Sequence, residues 1–368
     1  MSQPKERIST LQMAMILISF VGISDHVVII PVLLRTGGRD AWISVLAAAL
    51  LMALWILLLH LIMKKSGQQH VVDWVQEKAG RLLSVPLTAI LVLQMAIIAY
   101  ITIQDTTTWL YLMYLYLTPR PILFILFTLL CVFQASFGIR AIAIANGILL
   151  PFVIVLGFFV MSANIPNKDY ALLLPILENG PAPVLKGIVP AASGMFELIL
   201  FMLLQHRIKK QVKKRALYLV GFFTVMLTLG PLTGAIAEFG PYEGGNLRYT
   251  ASEEWRIVSL SRVFEHVDFL AVYQWMVGSF IRSSVAIFLI PELLRLPKPK
   301  QRKRAIWIIG ALLIAVLFIP VEDDPLQRVI EHYLIPYNFW LALGVTAVLL
   351  PLCFVKRSKK GGETYQRS

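Results

Sequence analysis

The chain has 368 residues, of which 58% are hydrophobic and 15% are charged, and its formal net charge is +13. This composition is typical of an integral membrane protein and excludes an ordinary water-soluble domain. No basic stretch alternates with aromatic residues, as single-strand nucleic-acid binding requires, so the positive charge does not indicate a nucleic-acid partner.

Ten apolar stretches follow one another along the chain, most of them close to the roughly 20 residues that cross a bilayer. We place these spans at 11–33, 41–63, 86–117, 121–139, 141–163, 187–206, 216–237, 269–294, 305–320 and 335–355. The sequence therefore predicts an all-α membrane protein with about ten transmembrane helices in a single membrane domain over residues 1–368. The first run is too long for a signal peptide and is interpreted as an uncleaved helix.

Lysine and arginine fall mainly into alternate loops. With the amino terminus inside, the inner segments hold 24 of these residues and the outer segments hold 9. Cytoplasmic loops carry this kind of excess. Acidic residues are concentrated in the outer segments 238–265 and 322–331. The pattern predicts that both termini are cytoplasmic and that 356–368 form a basic cytoplasmic tail.

The sequence shows no feature of an enzyme, a cofactor site or a metal site. Cys131 and Cys353 lie inside apolar spans, which argues against a disulfide or a thiolate metal site. The six histidines have no metal-ligand spacing, and no phosphate-binding glycine loop is present. Glu292 lies near the inner end of the eighth span, where we expect it to face the membrane interface.

Two spans carry helix-breaking residues at corresponding positions. The first contains the polar stretch 22–26 and then Pro31, and the sixth contains Pro190 through Glu197. Two halves of five helices enter the membrane from opposite faces, which predicts a 5+5 inverted-repeat, transporter-like fold with broken helices one and six. The repeats are about 11–163 and 187–355. Broken helices can present free N–H and C=O groups to a ligand, whereas small residues packing between helices are the alternative explanation.

Four ionisable side chains are predicted at membrane depth, where such residues usually face a partner or a cavity. They are Asp25, Asp105, Glu197 and Arg282. One interpretation is structural, with Arg282 paired to Asp105 or to Glu197. The other is functional, with an acid holding a ligand ammonium group or relaying protons, and with His26 as a proton partner of Asp25.

Polar residues also mark one face of the third span and one face of the eighth. The members of these faces are Ile101, Gln104, Asp105 and Thr108 in the third span and Gly278, Ser279, Arg282 and Ser283 in the eighth. Both faces are predicted to point inward, either lining a cavity or packing helices together. Within the outer loop 164–186, the stretch 170–181 has two prolines and an Asn-Gly pair, which predicts an ordered re-entrant or surface-lying segment.

Several short stretches resemble one known family. They are Glu6-Arg7-Ile8-Ser9 with Gln12, Leu117-Thr118-Pro119, and above all 174–180 and 183–187. With the ten spans and basic inner loops, the whole chain resembles the B-type subunit of spore germinant receptors, within the amino acid–polyamine–organocation transporter superfamily.

The resemblance implies a multi-pass protein of the spore inner membrane that senses a nutrient together with an A-type subunit and a lipoprotein C-type subunit. It implies a transporter-like pocket for a small germinant, often an amino acid. On this chain the pocket maps to Gly22, Ile23, Ser24, Asp25, Ser193, Gly194 and Phe196, with Ile101, Asp105, Glu197, Ser279, Arg282 and Ser283 from the inward faces and the sixth span. The chain departs from many transporters of the superfamily, because Ile23 follows Gly22 and Asp25 could repel a ligand carboxylate.

Three functions remain open at this stage. The first is a germinant-sensing subunit, and the second is a secondary transporter of an amino acid or organic cation driven by H⁺ or Na⁺. The third is a pore or scaffold component whose pocket is inert.

Overall fold

The computed structural model describes residues 7–258, 267–319 and 323–355 and is almost entirely helical. Glu6, Glu265, Glu322 and the predicted tail 356–368 lie outside the described residues. The first half of the chain contains α1 (Thr10–Ile23), α2 (Ile29–Gly37), α3 (Ala41–Lys65), α4 (Val71–Ala79), α5 (Arg81–Met113), α6 (Arg120–Ser136) and α7 (Ile139–Ala163).

The second half contains two short helices that complete one span, two helices outside the predicted spans, and four longer helices. These elements are α8 (Ala182–Met195), α9 (Leu200–Leu204), α10 (Lys214–Asn246), α11 (Thr250–Arg256), α12 (Phe269–Leu293), α13 (Pro299–Leu317), α14 (Asp323–Val329) and α15 (Ile335–Leu352). Helices thus lie at all ten predicted positions. Among the described residues, seven helical segments are long and apolar enough to cross a membrane, so ten crossings stay a prediction.

The first span is α1 and α2 joined by a π-helical turn at Ser24–Val28. In this turn the N–H of Ile29 donates to the carbonyl oxygen of Ser24. Pro31 follows and has no N–H to donate to the Val27 carbonyl, which prevents a regular α-helix here. The interruption therefore lies where the sequence predicts it, as a widened turn rather than an unwound segment.

The sixth span is α8 and α9 joined by a 3₁₀ turn at Phe196–Ile199. Phe196 keeps helical backbone angles, with φ −77° and ψ −6°. This second interruption also lies at the predicted position. Both turns change the direction of side chains and the local helix radius without releasing the chain from helical geometry.

The sixth and eighth spans form the centre of the protein. In the most apolar window of each helix, 89% of the residues of α12 and 83% of those of the sixth span are buried, against 22% in α7. α12 packs against α1 and α5, while α8 packs against α2, α3 and α15. A Cβ at Gly278 of α12 would lie 2.7 Å from Ile23 Cγ1. The Ile23 side chain of the first span therefore packs directly against the backbone of the eighth span.

A network centred on Glu292, at the end of α12, holds the carboxyl-terminal end of the sixth span. We call this side of the molecule inner and the opposite side outer, following the predicted orientation. Arg207 donates from Nη2 to both Glu292 oxygens at 2.7 and 2.8 Å, and Arg302 of α13 lies 3.3 Å from the carboxylate. His206 Nε2 lies 2.9 Å from Glu292 Oε1. The expectation that Glu292 faces the membrane interface is wrong, because only 4% of this residue is exposed and its carboxylate is surrounded by His206, Arg207 and Arg302.

The same network brings His70, His206 and Glu292 within 4.8 Å of one another, a proximity that histidine spacing in the sequence did not predict. Burial, with a smaller contribution from His206, lowers the pKa of His70 to about 4, so this ring is neutral at physiological pH. Two arginines already bind the Glu292 carboxylate, and their positive charge opposes a divalent cation. The cluster is therefore an ion-pair network rather than a metal centre.

Removing the Glu292 charge should loosen the inner end of the molecule. Glu292→Gln is expected to lower the free energy of unfolding by about 3–5 kcal/mol, because Arg207 keeps a buried charge without its partner. Thermal unfolding of the detergent-purified protein measures the change. Glu243→Gln, at an exposed carboxylate, is the control and should leave the midpoint unchanged; equal midpoints for the two variants would contradict the inferred role of Glu292.

The outer side is closed by ion pairs between distant segments. Arg35, at the end of α2, donates to Glu331 at 2.5 Å and to the Gly245 carbonyl at 2.7 Å. The loop 164–186 lies across the outer ends of the helices, where Asp169 N donates to the Ala237 carbonyl at 2.9 Å and Glu178 accepts from Arg39 at 2.9 Å. This loop is the surface-lying segment that its sequence allows.

Candidate ligand-binding site

A buried ion pair joins the sixth and eighth spans at the centre of the protein. Arg282 donates from Nη1 and Nη2 to the two oxygens of Glu197, both at 2.6 Å, and each side chain is 7% exposed. Of the two pairings open from the sequence, the structure shows the one with Glu197. A bidentate guanidinium–carboxylate pair is among the strongest polar contacts in proteins.

The first span completes the coordination of this pair. Arg282 also donates to the Phe20 carbonyl, and its guanidinium carbon lies 4.4 Å from the centre of the Phe20 ring. The Ser24 hydroxyl lies 3.2 Å from Glu197 Oε2 and 3.4 Å from Arg282 Nη1. Ser24 is the first residue of the π turn, so the interruption of the first span places a hydroxyl on the ion pair.

A cavity of about 70 Å³ lies on the outer side of the ion pair. Its polar lining consists of Arg282, Ser24, Ser193, Asn338, Asp105 and two threonines of α5, and its remaining wall is formed largely by isoleucines. This is the mixture of an apolar wall and a few convergent polar groups that small-ligand sites use. By volume, the cavity suits a few water molecules or one small solute.

A second cavity, of about 40 Å³, lies on the inner side. It is mostly apolar, with Glu197, Gln94 and Asn338 as its polar lining. Arg282 lines the outer cavity and Glu197 the inner one, while Ile98 and Asn338 line both. The ion pair therefore stands between two cavities, and a change in the pair would change the barrier between them.

Asp105 is held at the outer cavity by an aromatic cluster. Tyr249 donates its hydroxyl to Asp105 Oδ1 at 3.0 Å. The Tyr249 ring meets Trp275 edge-on at 5.1 Å, and Trp275 stacks on Trp109 at 4.1 Å. Trp109 lies one turn beyond Asp105 on α5 and is fully buried. None of the three rings lines the cavity; they pack behind Asp105 and fix the position of its side chain.

Asp25 lies outside both cavities. It is fully buried, and neither of its oxygens has a hydrogen-bond partner among the described residues. A Cβ built on Gly194 would lie 1.4 Å from Asp25 Oδ1, so the carboxyl group rests directly on the glycine backbone. The π turn thus points Ser24 at the ion pair and Asp25 into the seam with the sixth span.

Apart from Gly22, which lines neither cavity, the predicted site residues fall into three groups. Ile23, Ser24, Ile101, Asp105, Ser193 and Arg282 line the outer cavity, Phe196 and Glu197 line the inner one, and Asp25, Gly194, Ser279 and Ser283 are buried beside them without lining either. Ser279 accepts from Thr106 at 2.6 Å, which ties the eighth span to the third. A Cβ at Gly22 would meet no atom within 4 Å, so this glycine is not required by packing.

The tenth span and the π turn that precedes it contribute residues that sequence reasoning missed. Ile330 and Leu334, in the π turn Ile330–Leu334, and then Ile335 and Asn338 line the outer cavity. Asn338 is a polar residue within a predicted span, and that signal could have marked it. The isoleucines and leucine carry no comparable signal, because apolar residues face lipid as readily as a cavity.

Removing one charge of the ion pair should destabilise the protein. Arg282→Met or Glu197→Gln alone is expected to lower the free energy of unfolding by about 3–5 kcal/mol, since the remaining charge stays buried without its partner. The double variant Arg282→Met/Glu197→Met should recover most of this loss. Thermal unfolding of the purified protein measures all three.

The exposed pair Arg256–Glu253, at 3.0 Å, provides the control. Arg256→Met should change stability by less than about 1 kcal/mol. A central pair whose single variants behave like Arg256→Met would show that the two charges are solvated rather than buried.

The contact between Asp25 and Gly194 predicts that substitutions at these two positions have coupled effects on stability. Gly194→Ala should destabilise the protein because its methyl group collides with the carboxyl group, whereas Asp25→Ala/Gly194→Ala should be more stable than Gly194→Ala. Contacting residues couple by about 0.5–3 kcal/mol in double-mutant cycles. Gly22→Ala, where the new methyl group meets open space, is the control; additive effects of the two changes would argue against the contact.

Comparison with known proteins gives consistent results for sequence and fold. The sequence model of the spore germination protein family matches residues 7–325. Spore germination protein XB of Bacillus anthracis is 41% identical over 352 residues, which are 95% of this chain and 98% of that protein. Mhp1, a nucleobase-cation-symport-1 family transporter solved in a closed conformation with bromovinylhydantoin bound, has a TM-score of 0.60 at 12% identity, over 94% of this chain and 78% of its own. The likeness to Mhp1 concerns the fold alone and confirms the predicted transporter-like fold.

Proposed function

The chain belongs to the spore germination protein family, and we propose that it is the nutrient-sensing membrane subunit of a germination receptor. Family and fold together identify a germination-related, transporter-like, multi-pass membrane protein. Sensing, the nutrient class, an A-type and a lipoprotein C-type partner subunit, the spore inner membrane and cytoplasmic termini belong to the proposal.

The observation that carries the proposal is the lining of the outer cavity. It combines a guanidinium group, Arg282, with a carboxylate, Asp105, between apolar walls. A small aliphatic amino acid carries the complementary groups: a carboxylate for Arg282, an ammonium group for Asp105 and an apolar side chain for the isoleucines. The cavity volume of about 70 Å³ favours the smallest members of this class.

Ligand binding at this place would act on the central ion pair. A ligand carboxylate competes with Glu197 for the N–H groups of Arg282 and weakens the link between the sixth and eighth spans. A ligand shifts a conformational equilibrium only by its differential affinity for the two states. Competition for Arg282 supplies that difference, because the ligand favours the state in which Glu197 has moved away.

The genetic test is germination of spores that lack this protein, against a panel of amino acids, sugars and nucleosides. Loss of the response to small aliphatic amino acids alone, with recovery on complementation, is the expected result. An unchanged response to every nutrient, in spores that lack related receptors as well, would overturn the proposal.

Asp105→Asn should weaken binding of the ligand's ammonium group and leave binding of its carboxylate unchanged. It removes the charge that faces the ammonium group but keeps an oxygen for Tyr249, so affinity for alanine should fall about tenfold or more, equivalent to about 1.4 kcal/mol. Affinity for propionate, the same ligand without its ammonium group, should be unchanged. Calorimetry on the purified protein measures both, and Asp169→Asn, at an exposed carboxylate, is the control. Equal losses for alanine and propionate would contradict this placement of the ammonium group.

Secondary transport is the alternative that the fold favours, because the similar structure, Mhp1, is a transporter. The same cavities and ion pair would then alternate in access, with an acid exchanging H⁺ or Na⁺ binding nearby. Uptake of a radiolabelled amino acid by vesicles containing the protein separates the two functions. Accumulation driven by an ion gradient would establish transport, and binding without accumulation would support sensing.

A further inference from the structure

We propose that Asp25 is a proton-binding site, built into the seam between the first, sixth and seventh spans. The site stands on packing alone. Its link to nutrient binding, given below, rests on the proposed function.

The space around Asp25 is limited by the sixth span. The carboxyl group rests on the Gly194 backbone so closely that a Cβ there would lie 1.4 Å from Oδ1 and 2.5 Å from Cγ. Neither of the two central cavities includes Asp25 in its lining. A metal cation needs several oxygen ligands around it, and on the side of Gly194 the backbone leaves no room for one. A proton is the cation that fits.

The charged and polar neighbours of Asp25 are directed to other partners. The charged groups that act on it are Glu197, on the sixth span, and Arg282, on the eighth. These two already bind each other through two hydrogen bonds of 2.6 Å. From the seventh span, the Thr228 hydroxyl lies near enough to Asp25 to stabilise its carboxylate as a hydrogen-bond donor, but its proton is directed to the Thr224 carbonyl at 3.2 Å. His26, the next residue, is directed at the Leu227 backbone instead.

Burial of an ionised carboxylate without a partner is one of the most costly arrangements in a protein, and such a group takes up a proton instead. Asp25 is 0% exposed and neither oxygen has a partner among the described residues. In this conformation the side chain is therefore a neutral carboxylic acid. When the first and sixth spans separate and water reaches the seam, the O–H bond breaks, its electrons remain on the carboxylate and the proton passes to water.

Infrared difference spectroscopy tests the site without any ligand, because a protonated carboxylic acid has its own C=O stretch. The full-length protein in lipid nanodiscs at neutral pH should show a band that disappears in Asp25→Asn. Asp169→Asn should retain that band. A wild-type spectrum without a band assignable to Asp25 would overturn the proposal.

A second variant covers the case in which Asp25→Asn does not fold. Asp25→Ala/Gly194→Ala also removes the carboxyl group, and the second methyl group fills the space that the first change leaves. It should lack the same band. Retention of the band in a folded double variant would likewise refute the assignment.

The link to nutrient is tested separately. If the nutrient favours the state with separated spans, binding releases a proton from wild-type protein, and the measured heat of binding varies with the ionisation enthalpy of the buffer. In Asp25→Asn this dependence should be lost. Absence of nutrient binding altogether would refute the proposed function and leave the infrared result to decide on the proton site; binding without proton release would refute the link.

Discussion

The ion pair between Arg282 and Glu197 is the constraint around which the rest of the centre is arranged. Two opposite charges at 7% exposure are stable only with matched geometry, and the protein supplies it from three directions: a carboxylate from the 3₁₀ turn of the sixth span, a guanidinium group from the eighth, and a hydroxyl and a carbonyl from the first. The interrupted helices are needed for this geometry, because the turns aim Ser24 and Glu197 at one point.

The same ion pair lies at the boundary between the two cavities. Arg282 lines one and Glu197 the other, so any group that competes for either charge acts on the boundary between them. The Glu292 network holds the inner ends of the sixth and eighth spans, and the ion pair between Arg35 and Glu331 holds the outer end of the first span. A sensor and a transporter both require this arrangement, in which a central event is transmitted to helix ends, and they differ in whether solute then crosses.

Sequence reasoning located the interruptions, the central acids and Arg282, since helix breakers and charges stand out in apolar spans. It left the partner of Arg282 open because pairing depends on how distant spans pack. It was wrong about Glu292, which is buried because the ends of two other helical segments supply Arg207 and Arg302 to its carboxylate. It also grouped Asp25 with Ser24, although the π turn sends these adjacent side chains to different places. A helical face predicted from sequence is reliable only to a residue or two. The π turn changes the direction of the side chains by more than that.

The parallel bridge between Ile8 and Ile208 has a consequence for the amino terminus. Ile8 N donates to the Arg207 carbonyl and the Ile8 carbonyl accepts from Lys209 N, both at 2.9 Å, so residues near the amino terminus are hydrogen-bonded to the inner end of the sixth span. Any displacement of that span at its inner end also displaces these residues. A fluorescent reporter placed at the amino terminus would therefore follow, from outside the bilayer, a movement that begins at its centre.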